Sequence, residues 1–237
     1  MKKEVIVLNC GSSSVKFAII DAETGEAGLT GIAEALGNSD ASLSYKLNGK
    51  KEKQALPEKA GHTEALNAIA EIIASTGVQP IAIGHRVVHG GEKFKGAALV
   101  DDSVLEAIED YASMAPLHNM ANLKGIVTAQ TAYPDLPHVV VFDTSFFQTL
   151  PKKAFIYALP MSLYREHGIR RYGFHGTSHK FILDSMAKIL NKPVSDTSII
   201  SAHLGNGCSV SAIEKGQAVD TSLGFIPLEG LVMGTRC

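Results

Sequence analysis

Residues 5–20 read VIVLNCGSSSVKFAII, which places two apolar runs on either side of a small polar segment. The runs 5–8 and 15–20 are rich in β-branched and aromatic residues, which is typical of strands. The segment between them, 9–14, consists of small, turn-forming residues. The stretch therefore predicts a β-hairpin with a polar tip.

A similar pattern recurs near the other end of the chain. A strand predicted to begin at Ile199 runs into residues 203–210, which read HLGNGCSV. Aligning Ser14 with Ser209 gives an offset of 195 residues, which is too long for a solenoid and suggests two related domains. Chance similarity remains the alternative, because any hairpin turn uses small polar residues.

The tips of both hairpins can present backbone N–H groups that no bulky side chain screens, and such a nest binds anionic oxygen. Two of them across a cleft would hold a polyphosphate from both sides. Neither tip is a P-loop, and residues 205–207 begin a GxG pattern that lacks its third glycine. The alternative for each tip is a plain hairpin turn.

Composition excludes several classes of protein. The 237 residues carry 22 Lys+Arg against 24 Asp+Glu, a net charge of −2, which argues against a nucleic-acid surface. The three cysteines contain no CxxC pair, so neither a disulfide framework nor a cysteine zinc site is supported. No apolar run has the length of a signal peptide or a membrane span. We therefore expect a cytoplasmic protein without nucleic-acid or membrane partners.

The rest of the chain alternates between helical and strand patterns. Apolar residues at helical spacing predict a helix behind Thr63 and Glu64, a second behind Ser103, and a third from about Asn119. Short apolar runs at 81–83 and 139–142 predict buried strands. Residues 25–61 read as surface strands or loops. In the last third, Ser178 is expected to cap a helix that carries Phe181, Ile182, Met186 and Ile189.

Four side chains stand out as candidates for chemistry. Arg86, placed after the strand at 81–83, lies in a segment bounded by glycines, and Arg236 lies in Gly234-Thr235-Arg236; a guanidinium fork near glycine-rich backbone can clamp an anion. Asp143 follows a buried strand, at the end where α/β sheets bind ligands. His175 lies between Phe174 and a glycine and is expected to precede the helix. The alternatives are surface ion pairs for the arginines, a strand-end cap for Asp143 and a structural role for the histidine.

Eight segments together resemble the acetokinase family, which comprises the acetate kinases and related short-chain acyl kinases. They occur in the family's order over nearly the whole chain, and they are residues 8–17, 84–92, 115–119, 141–144, 167–173, 175–179, 203–207 and 227–236. The resemblance implies an α/β fold of duplicated actin-like (ribonuclease H-like) ATPase domains, each with a phosphate hairpin. It implies a first domain at 1–150 and an incomplete second domain at 151–237.

The same resemblance implies an activity. It is the reversible, direct in-line transfer of a phosphoryl group from MgATP to acetate, which gives ADP and acetyl phosphate. ATP is the co-substrate, Mg²⁺ is the metal with Mn²⁺ as a substitute, and the protein is expected to be a homodimer. Propionate or butyrate kinase activity stays open, as does a non-catalytic phosphate- or nucleotide-binding module.

Site residues follow from the resemblance position by position. Arg86 and Arg236 match the arginines that hold the carboxylate and the moving phosphoryl group, His175 matches the histidine that stabilises the transition state, and Asp143 completes the catalytic set. His118 lies at the active site. Asn9 matches the residue near the metal. ATP binding is assigned to Ser12, Ser14, Lys16, His203, Leu204, Gly205, Asn206 and Gly207, and the acetate methyl pocket to Val88, Leu117, Phe174 and Pro227.

One departure concerns the end of the chain. In the family, Ser-Gly-Asp follows the Gly-Thr-Arg motif, whereas Cys237 stands here in place of that serine. The sequence is therefore expected to be a truncated kinase with an incomplete second domain. On that basis we expect the 237-residue chain alone to be unstable or inactive as a kinase.

Overall fold

The computed structural model describes residues 2–234, apart from the side chain of Leu117. Arg236, predicted to be an anion clamp, lies outside the described residues. The chain divides into two compact units, one formed by Met1–Val87 and Ala98–Val141 and the other by Val88–Ala97 and Phe142–Cys237. The predicted domain assignment, 1–150 and 151–237, stays a prediction.

The first unit is a mixed α/β structure. Its strands are β1 (Glu4–Cys10), β2 (Val15–Asp21), β3 (Ala27–Glu34), β4 (Ser42–Leu47), β5 (Lys50–Ala55), β6 (Ala82–Val87), β7 (Ala98–Leu99) and β8 (His138–Phe142), and its helices are α1 (His62–Ser75), α2 (Asp102–Asp110) and α3 (Pro116–Ala132). Within residues 2–234 these strands form one sheet in the order β5-β4-β3-β2-β1-β6-β8-β7. Strand β1 is antiparallel to β2 and parallel to β6.

Alternation along the strands builds the core of this unit. In β1, Ile6, Leu8 and Cys10 are buried while the residues between them are less so, as period-two patterning requires. Helix α1 packs its own apolar stripe, which includes Leu66 and Ile69, into the same cluster. The Gly61 N–H donates to Glu64 Oε2 at 2.7 Å, which satisfies a backbone donor at the start of α1, one turn before its first buried leucine.

The second unit contains α4 (Lys152–Phe155), α5 (Met161–His167), α6 (Gly176–Ile189) and an antiparallel sheet of β9 (Ile199–Leu204), β10 (Cys208–Glu214) and β11 (Gln217–Thr221). The buried face of this sheet carries hydroxyl groups: Ser201, Ser209, Ser211 and Thr221 are all at most 4% exposed. Buried hydroxyls need hydrogen-bond partners, and several find them in histidine rings.

Both predicted hairpins are confirmed. Strands β1 and β2 pair across a four-residue connection, with Cys10 opposite Val15. Strands β9 and β10 pair across a three-residue connection, with Leu204 opposite Cys208. The sequence similarity at an offset of 195 residues therefore corresponds to the same local structure in both places.

Three local expectations were wrong. Helix α6 begins at Gly176 with His175 as its N-cap, so Ser178 lies inside the first turn. Helix α2 is capped by Asp101, whose carboxylate accepts from the Val104 N–H at 2.9 Å, and not by Ser103. Strand β6 continues to Val87, which places Arg86 on the strand and not after it. For α2 the cap is the residue two positions earlier in the chain, and for β6 the strand extends beyond its apolar run.

The apolar positions expected on α6 are also mostly outside the core. Phe181 is 70% exposed and Ile189 is 74% exposed, whereas His179, Leu183 and Ala187 face inward. Among the helices that the structure describes, none combines the length and the apolar character needed to cross a bilayer.

Candidate functional site in two parts

The first hairpin tip is held by its backbone. The Gly11 N–H donates to the Ser14 carbonyl at 2.7 Å, and the Leu36 N–H donates to the Ser13 carbonyl at 3.0 Å. The His62 ring bonds the Gly11 carbonyl through Nε2 at 2.6 Å. These contacts fix the carbonyl groups, while the side chain of Ser12 stays exposed. The tip is thus a polar loop of small residues whose carbonyl groups are hydrogen-bonded within the protein, and its use as an anion-binding nest stays a prediction.

Helix α3 anchors the strand that leads into this tip. The buried amide of Asn122 donates from Nδ2 to the Cys10 carbonyl at 2.6 Å. The same carbonyl ends β1, directly before Gly11. The loop position is therefore set by a helix as well as by strand pairing.

Arg86 and Asn9 lie side by side in the first unit. They follow the paired residues Leu8 and His85 of the parallel strands β1 and β6, and Arg86 Nη1 donates to Asn9 Oδ1 at 3.1 Å. Parallel strands present ligand-binding groups at their carboxyl ends. The structure thus brings together the predicted clamp and the predicted metal-proximal residue.

Two further predicted site residues lie in the first unit. His118 lies half-buried in the first turn of α3, and Lys16 is exposed at the start of β2.

Asp143 lies directly after β8 in the second unit and is 1% exposed. Its carboxylate accepts a short hydrogen bond from the Thr177 hydroxyl, and its backbone carbonyl accepts the Gly176 N–H at 3.1 Å. The first turn of α6 is therefore fastened to the end of β8 by both main chain and side chain. A negatively charged carboxylate near the N-terminus of a helix is stabilised by the helix dipole.

The start of α6 requires an unusual backbone. A Cβ on Gly176 would collide with the Asp143 carbonyl oxygen and would lie 2.8 Å from the Phe146 Cβ. His175, just before it, adopts a left-handed conformation with φ of 60° and ψ of 22°. A histidine with positive φ is uncommon, and such strain is concentrated at functional sites.

His175 belongs to a cluster of three histidines. Its Nδ1 bonds Ser209 Oγ at 2.9 Å, and its ring stacks on His203 with centroids 4.2 Å apart and an interplanar angle of 22°. His203 Nδ1 in turn bonds Ser178 Oγ at 3.0 Å. The cluster joins the start of α6 to the end of β9, so two predicted site residues touch each other directly.

The third histidine of the cluster, His179, is fully buried. Its Nε2 bonds Ser209 Oγ at 2.8 Å and its Nδ1 bonds Ser201 Oγ at 3.0 Å. Burial lowers the pKa of His179 to about 4, with a further lowering from nearby His203 and an opposing effect of Asp143. His179 is therefore a neutral ring at neutral pH.

The second hairpin tip, 205–207, closes on itself. The Gly205 N–H donates to the Gly207 carbonyl at 3.1 Å, and the Cys208 thiol donates to the Gly205 carbonyl at 3.1 Å. Asn206 accepts through its backbone carbonyl from the Gly234 N–H at 3.2 Å. Leu204, Gly205 and Asn206 are exposed, so this tip is open to a ligand.

Three of the residues predicted to surround the acetate methyl group lie in the second unit. Val88 and Phe174 are buried in the second unit, and Pro227 is half-buried after β11. The sequence reasoning missed their neighbour His89, which is buried and contacts the edge of Phe174 at a centroid distance of 5.7 Å. Burial lowers the pKa of His89 to about 4. A single methyl pocket that includes Leu117 stays a prediction.

The predicted metal-proximal residue, Asn9, carries an oxygen donor, which is the donor type that hard metal ions prefer. Within the described part of the chain, no group of three or more His, Cys, Asp or Glu side chains is placed to hold a metal. The Asn9 amide oxygen of the first unit, which accepts from Arg86, is an oxygen donor of the kind that suits the predicted role of this residue. Mg²⁺ prefers oxygen and is commonly bound by one or two protein groups together with phosphates and water. The donor chemistry therefore fits Mg²⁺.

Sequence reasoning identified His175 and His203 but missed His179 and the groups that hold these rings. Ser209 and Thr177 contact His175 and Asp143 respectively. A serine on a strand carries no signal of its own, and only the pairing of β9 with β10 shows that Ser209 faces α6.

These features define an α/β protein of the actin-like ATPase class, with a polar hairpin tip in each unit. The chain belongs to the acetokinase family, whose model matches residues 4–237. It is 58% identical over 241 residues to acetate kinase 1 of Vibrio cholerae serotype O1, covering 100% of this chain and 60% of that protein. It is 55% identical to acetate kinase of Shewanella sp. strain W3-18-1, covering 99% and 60% respectively.

Solved structures agree. A propionate kinase from Francisella tularensis superposes with a TM-score of 0.94 at 43% identity, covering 99% of this chain and 61% of that one. Porphyromonas gingivalis acetate kinase superposes with a TM-score of 0.91 at 42% identity, covering 99% and 60%. The predicted fold class and family are thereby confirmed. The chain spans about 60% of the length of the curated relatives it matches.

Proposed function

We propose that this chain forms part of an ATP-dependent acetate kinase, which transfers the γ-phosphoryl group of MgATP to acetate and releases ADP and acetyl phosphate reversibly. The observation that carries the proposal is the match of the family model to residues 4–237, together with 55–58% identity to acetate kinases over 99–100% of this chain. The two polar hairpin tips and the histidine cluster supply the kind of groups that this reaction needs.

The chemistry explains why cations and N–H donors dominate the proposed site. In-line phosphoryl transfer spreads negative charge over the equatorial oxygens, so catalysis rests on positioning and on electrostatic stabilisation. Arg86 and Arg236 would hold the carboxylate and the moving phosphoryl group, with His175 at the transition state and His118 close by. The proposed ATP contacts are Ser12, Ser14, Lys16, His203, Leu204, Gly205, Asn206 and Gly207.

Asp143 is proposed to position other groups and not to act as a general base. Acetate is already ionised at neutral pH, so no substrate proton needs to be removed. The Asp143 carboxylate is buried and accepts from Thr177, which suits a group that orients water or nearby Arg and His side chains. Bound Mg²⁺, or Mn²⁺ in its place, would neutralise phosphate charge, with Asn9 on the metal side of the site.

Propionate is the second candidate substrate, because a propionate kinase superposes on this chain with a TM-score of 0.94. One methylene in an apolar pocket changes binding by only about 1–3 kcal/mol. The proposed pocket of Val88, Leu117, Phe174 and Pro227 therefore separates acetate from propionate or butyrate by modest factors. Acetate is preferred here because the curated relatives at 55–58% identity are acetate kinases.

The experiment traps acyl phosphate with hydroxylamine in the presence of MgATP and acetate, propionate or butyrate. It compares the 237-residue chain with a chimera, in which residues 1–237 are followed by the part of the Vibrio cholerae relative outside the matched region. We expect acyl hydroxamate from the chimera, with acetate the best substrate. Nucleotide binding without any hydroxamate would favour the alternative of a non-catalytic binding module.

The predicted clamp Arg236 is tested in the same chimera. Arg236→Ala should lower turnover by about 10²–10³-fold, the usual cost of removing one preorganised donor from a developing charge. Unchanged turnover would remove Arg236 from the proposed site.

The assembly and location proposed are a homodimer in the cytoplasm that serves acetyl-CoA biosynthesis, without nucleic-acid or membrane partners. The net charge of −2 supports the absence of a nucleic-acid partner, and the other assignments rest on the resemblance to the family. Light scattering on the chimera tests the dimer directly.

A further inference from the structure

Residues 222–230 follow β11 and form a loop, the 222–230 loop, whose two ends lie together. Gly230 has a positive φ of 98°, and a Cβ on it would lie 2.6 Å from the Ser222 carbonyl oxygen. The Ser222 N–H donates to the Val210 carbonyl of β10 at 2.9 Å. The proposed pocket residue Pro227 lies half-buried between these ends, so its position depends on what holds the loop there.

The side chain of Glu229 folds back into this loop. Its carboxylate accepts a short hydrogen bond from the Tyr157 hydroxyl through Oε1, and Oε2 lies 3.4 Å from Arg171 Nη2. A Cβ on Gly224 would collide with both the Glu229 carboxylate and the Tyr157 hydroxyl oxygen. The loop is therefore packed around one carboxylate group, and the glycine leaves the room that this group needs.

Tyr157 connects this carboxylate to the backbone of the loop. Its hydroxyl accepts the Phe225 N–H at 2.7 Å while it donates to Glu229. Burial, followed by the hydrogen bond to Glu229, raises the pKa of Tyr157 to about 12, so the hydroxyl keeps its proton at neutral pH. The phenol is thus donor and acceptor at once, and removing its oxygen would break two contacts of the loop.

Arg171 joins the same carboxylate to two neighbouring elements of the second unit. Its Nη1 donates to the Thr221 carbonyl at the end of β11, at 2.7 Å. Its backbone N–H donates to the Phe155 carbonyl at the end of α4, at 2.8 Å. The guanidinium offers several donors in a fixed fork, which suits a group that bridges a carboxylate and a carbonyl. Glu229 is therefore tied to structure outside the loop.

The loop is also joined to the segment that carries Phe174. The Gly224 carbonyl accepts from the N–H groups of Tyr172 and Gly173, at 3.1 and 3.3 Å. Gly173 directly precedes Phe174, which is 2% exposed. Gly224 precedes Pro227 by three residues. The spacing of these two residues predicted to line the acyl pocket therefore depends on how the 222–230 loop is held.

We propose that Glu229 is a positioning residue that, through Tyr157, fixes the 222–230 loop. The fixed loop sets the distance between Pro227 and Phe174 and so limits the length of the acyl chain that the site accepts. This inference rests on the proposed function, since chain length matters only for a kinase of short aliphatic carboxylates. A pocket wall held by hydrogen bonds resists the shift that an extra methylene requires, whereas a loose wall yields to it.

The first measurement is amide hydrogen exchange at Phe225, followed by NMR in the 237-residue chain and in the chimera. Tyr157→Phe should speed this exchange by about 10-fold, because the N–H loses its acceptor. The matched control is Tyr45→Phe, which removes a tyrosine–glutamate hydrogen bond, to Glu52 at 2.5 Å, from the first unit. The control should leave Phe225 as in the wild type. Unchanged exchange in Tyr157→Phe would overturn the proposal.

The second measurement is kcat and KM of the chimera for acetate and propionate. In Tyr157→Phe and Glu229→Ala, KM for acetate should rise about 3-fold or more with kcat nearly unchanged, because a wall touches the methyl group alike in ground and transition states. The ratio of kcat/KM for propionate to that for acetate should rise about 5-fold, part of the roughly 10–200-fold that one methylene is worth. Glu229→Gln keeps an acceptor for Tyr157 and should lie between Glu229→Ala and the wild type.

A role in folding alone would lower the amount of active protein, and with it kcat, while KM and the substrate ratio stayed as in the wild type. That result, or equal ratios in Tyr157→Phe and Tyr45→Phe, would contradict the proposal. A chimera that makes no hydroxamate would refute the proposed function, and the exchange at Phe225 would still decide whether Tyr157 fastens the loop. The two claims therefore fail separately.

Discussion

At the scale of single residues, the turn from His175 into α6 depends on the absence of a side chain at one position. Gly176 lies against the Asp143 carbonyl and the Phe146 Cβ, with no room for a methyl group. Backbone atoms cannot move aside as a flexible side chain can. The glycine therefore lets the helix start at the end of β8, where Thr177 meets the Asp143 carboxylate.

Gly176→Ala should lower the free energy of unfolding by about 1–3 kcal/mol, the usual cost of overpacking. The better helix propensity of alanine, worth about 1 kcal/mol, offsets only part of the clash. Gly96→Ala is the control, because a Cβ at Gly96 would meet no atom within 4 Å. Urea denaturation measures both variants, and equal midpoints would show that the close approach is relaxed in solution.

Asp143 offers a second prediction at this scale. In the chimera, Asp143→Asn should lower turnover while leaving the shape of the pH–rate profile unchanged, because the proposed role involves no proton transfer from acetate. The measurement is kcat for acetyl phosphate formation across pH 5 to 9. A limb of the wild-type profile that disappears in the asparagine variant would assign a general base to Asp143.

The residue types of the site were predictable, whereas their supports were not. Arg86, Asp143 and His175 occur in distinctive local patterns, and the structure places each at an element end or near one. Ser209 looks like any strand serine until β9 and β10 are paired. Long-range contacts of this kind cannot be predicted from the local sequence.

At the scale of elements, β6 and β8 are linked by two buried histidines. His85 Nε2 bonds His138 Nδ1 at 3.0 Å with the rings stacked, and His138 Nε2 bonds the Tyr133 carbonyl at 3.1 Å. Burial, and to a lesser extent His138, lowers the pKa of His85 to about 3. A charged His85 is thus strongly disfavoured in the folded state.

Because His85 is buried in this link, the free energy of unfolding depends on pH. An unfolded chain protonates His85 near its ordinary pKa of about 6.5, whereas the folded chain resists protonation until about pH 3. The unfolded state therefore binds more protons in that window, and the free energy of unfolding falls as pH decreases through it. One such group contributes a slope of at most about 1.4 kcal/mol per pH unit.

Replacing His85 tests whether this residue causes the predicted loss of stability at low pH. His85→Gln should flatten the pH dependence of the urea midpoint between pH 6.5 and 4, even if it lowers stability throughout. His167→Gln, at an exposed position, should leave the slope as in the wild type. If the slope is unchanged in His85→Gln, His85 has the same pKa in the folded and unfolded states and the explanation is wrong.

Element boundaries show where sequence patterns mislead. The apolar residues Phe181 and Ile189 predicted the existence of α6 correctly, yet the helix buries His179 and Leu183 instead. The hydroxyl-lined face of the sheet beneath it explains the difference, because histidine can bond those hydroxyls and phenylalanine cannot. A hydrophobicity pattern assumes an apolar partner surface.

At the scale of the whole molecule, the two hairpins at an offset of 195 residues give the most informative comparison. Their similarity in sequence was weak, but both have the same strand, polar tip and returning strand. Family membership turns a pattern compatible with chance into a feature of the fold. The net charge of −2 is compatible with the proposed function, in which anion binding would depend on local backbone groups and a few cations.

The most direct test of the central claim is formation of acetyl hydroxamate from acetate and MgATP by the chimera, in the wild type and in Arg86→Ala. The exposed Arg165→Ala serves as the control, and the Vibrio cholerae relative is assayed in parallel. We predict product from the wild type and the control, and a loss of about 10²-fold or more in Arg86→Ala. A folded wild-type chimera that makes no hydroxamate, or an Arg86→Ala variant as active as the wild type, would contradict the account.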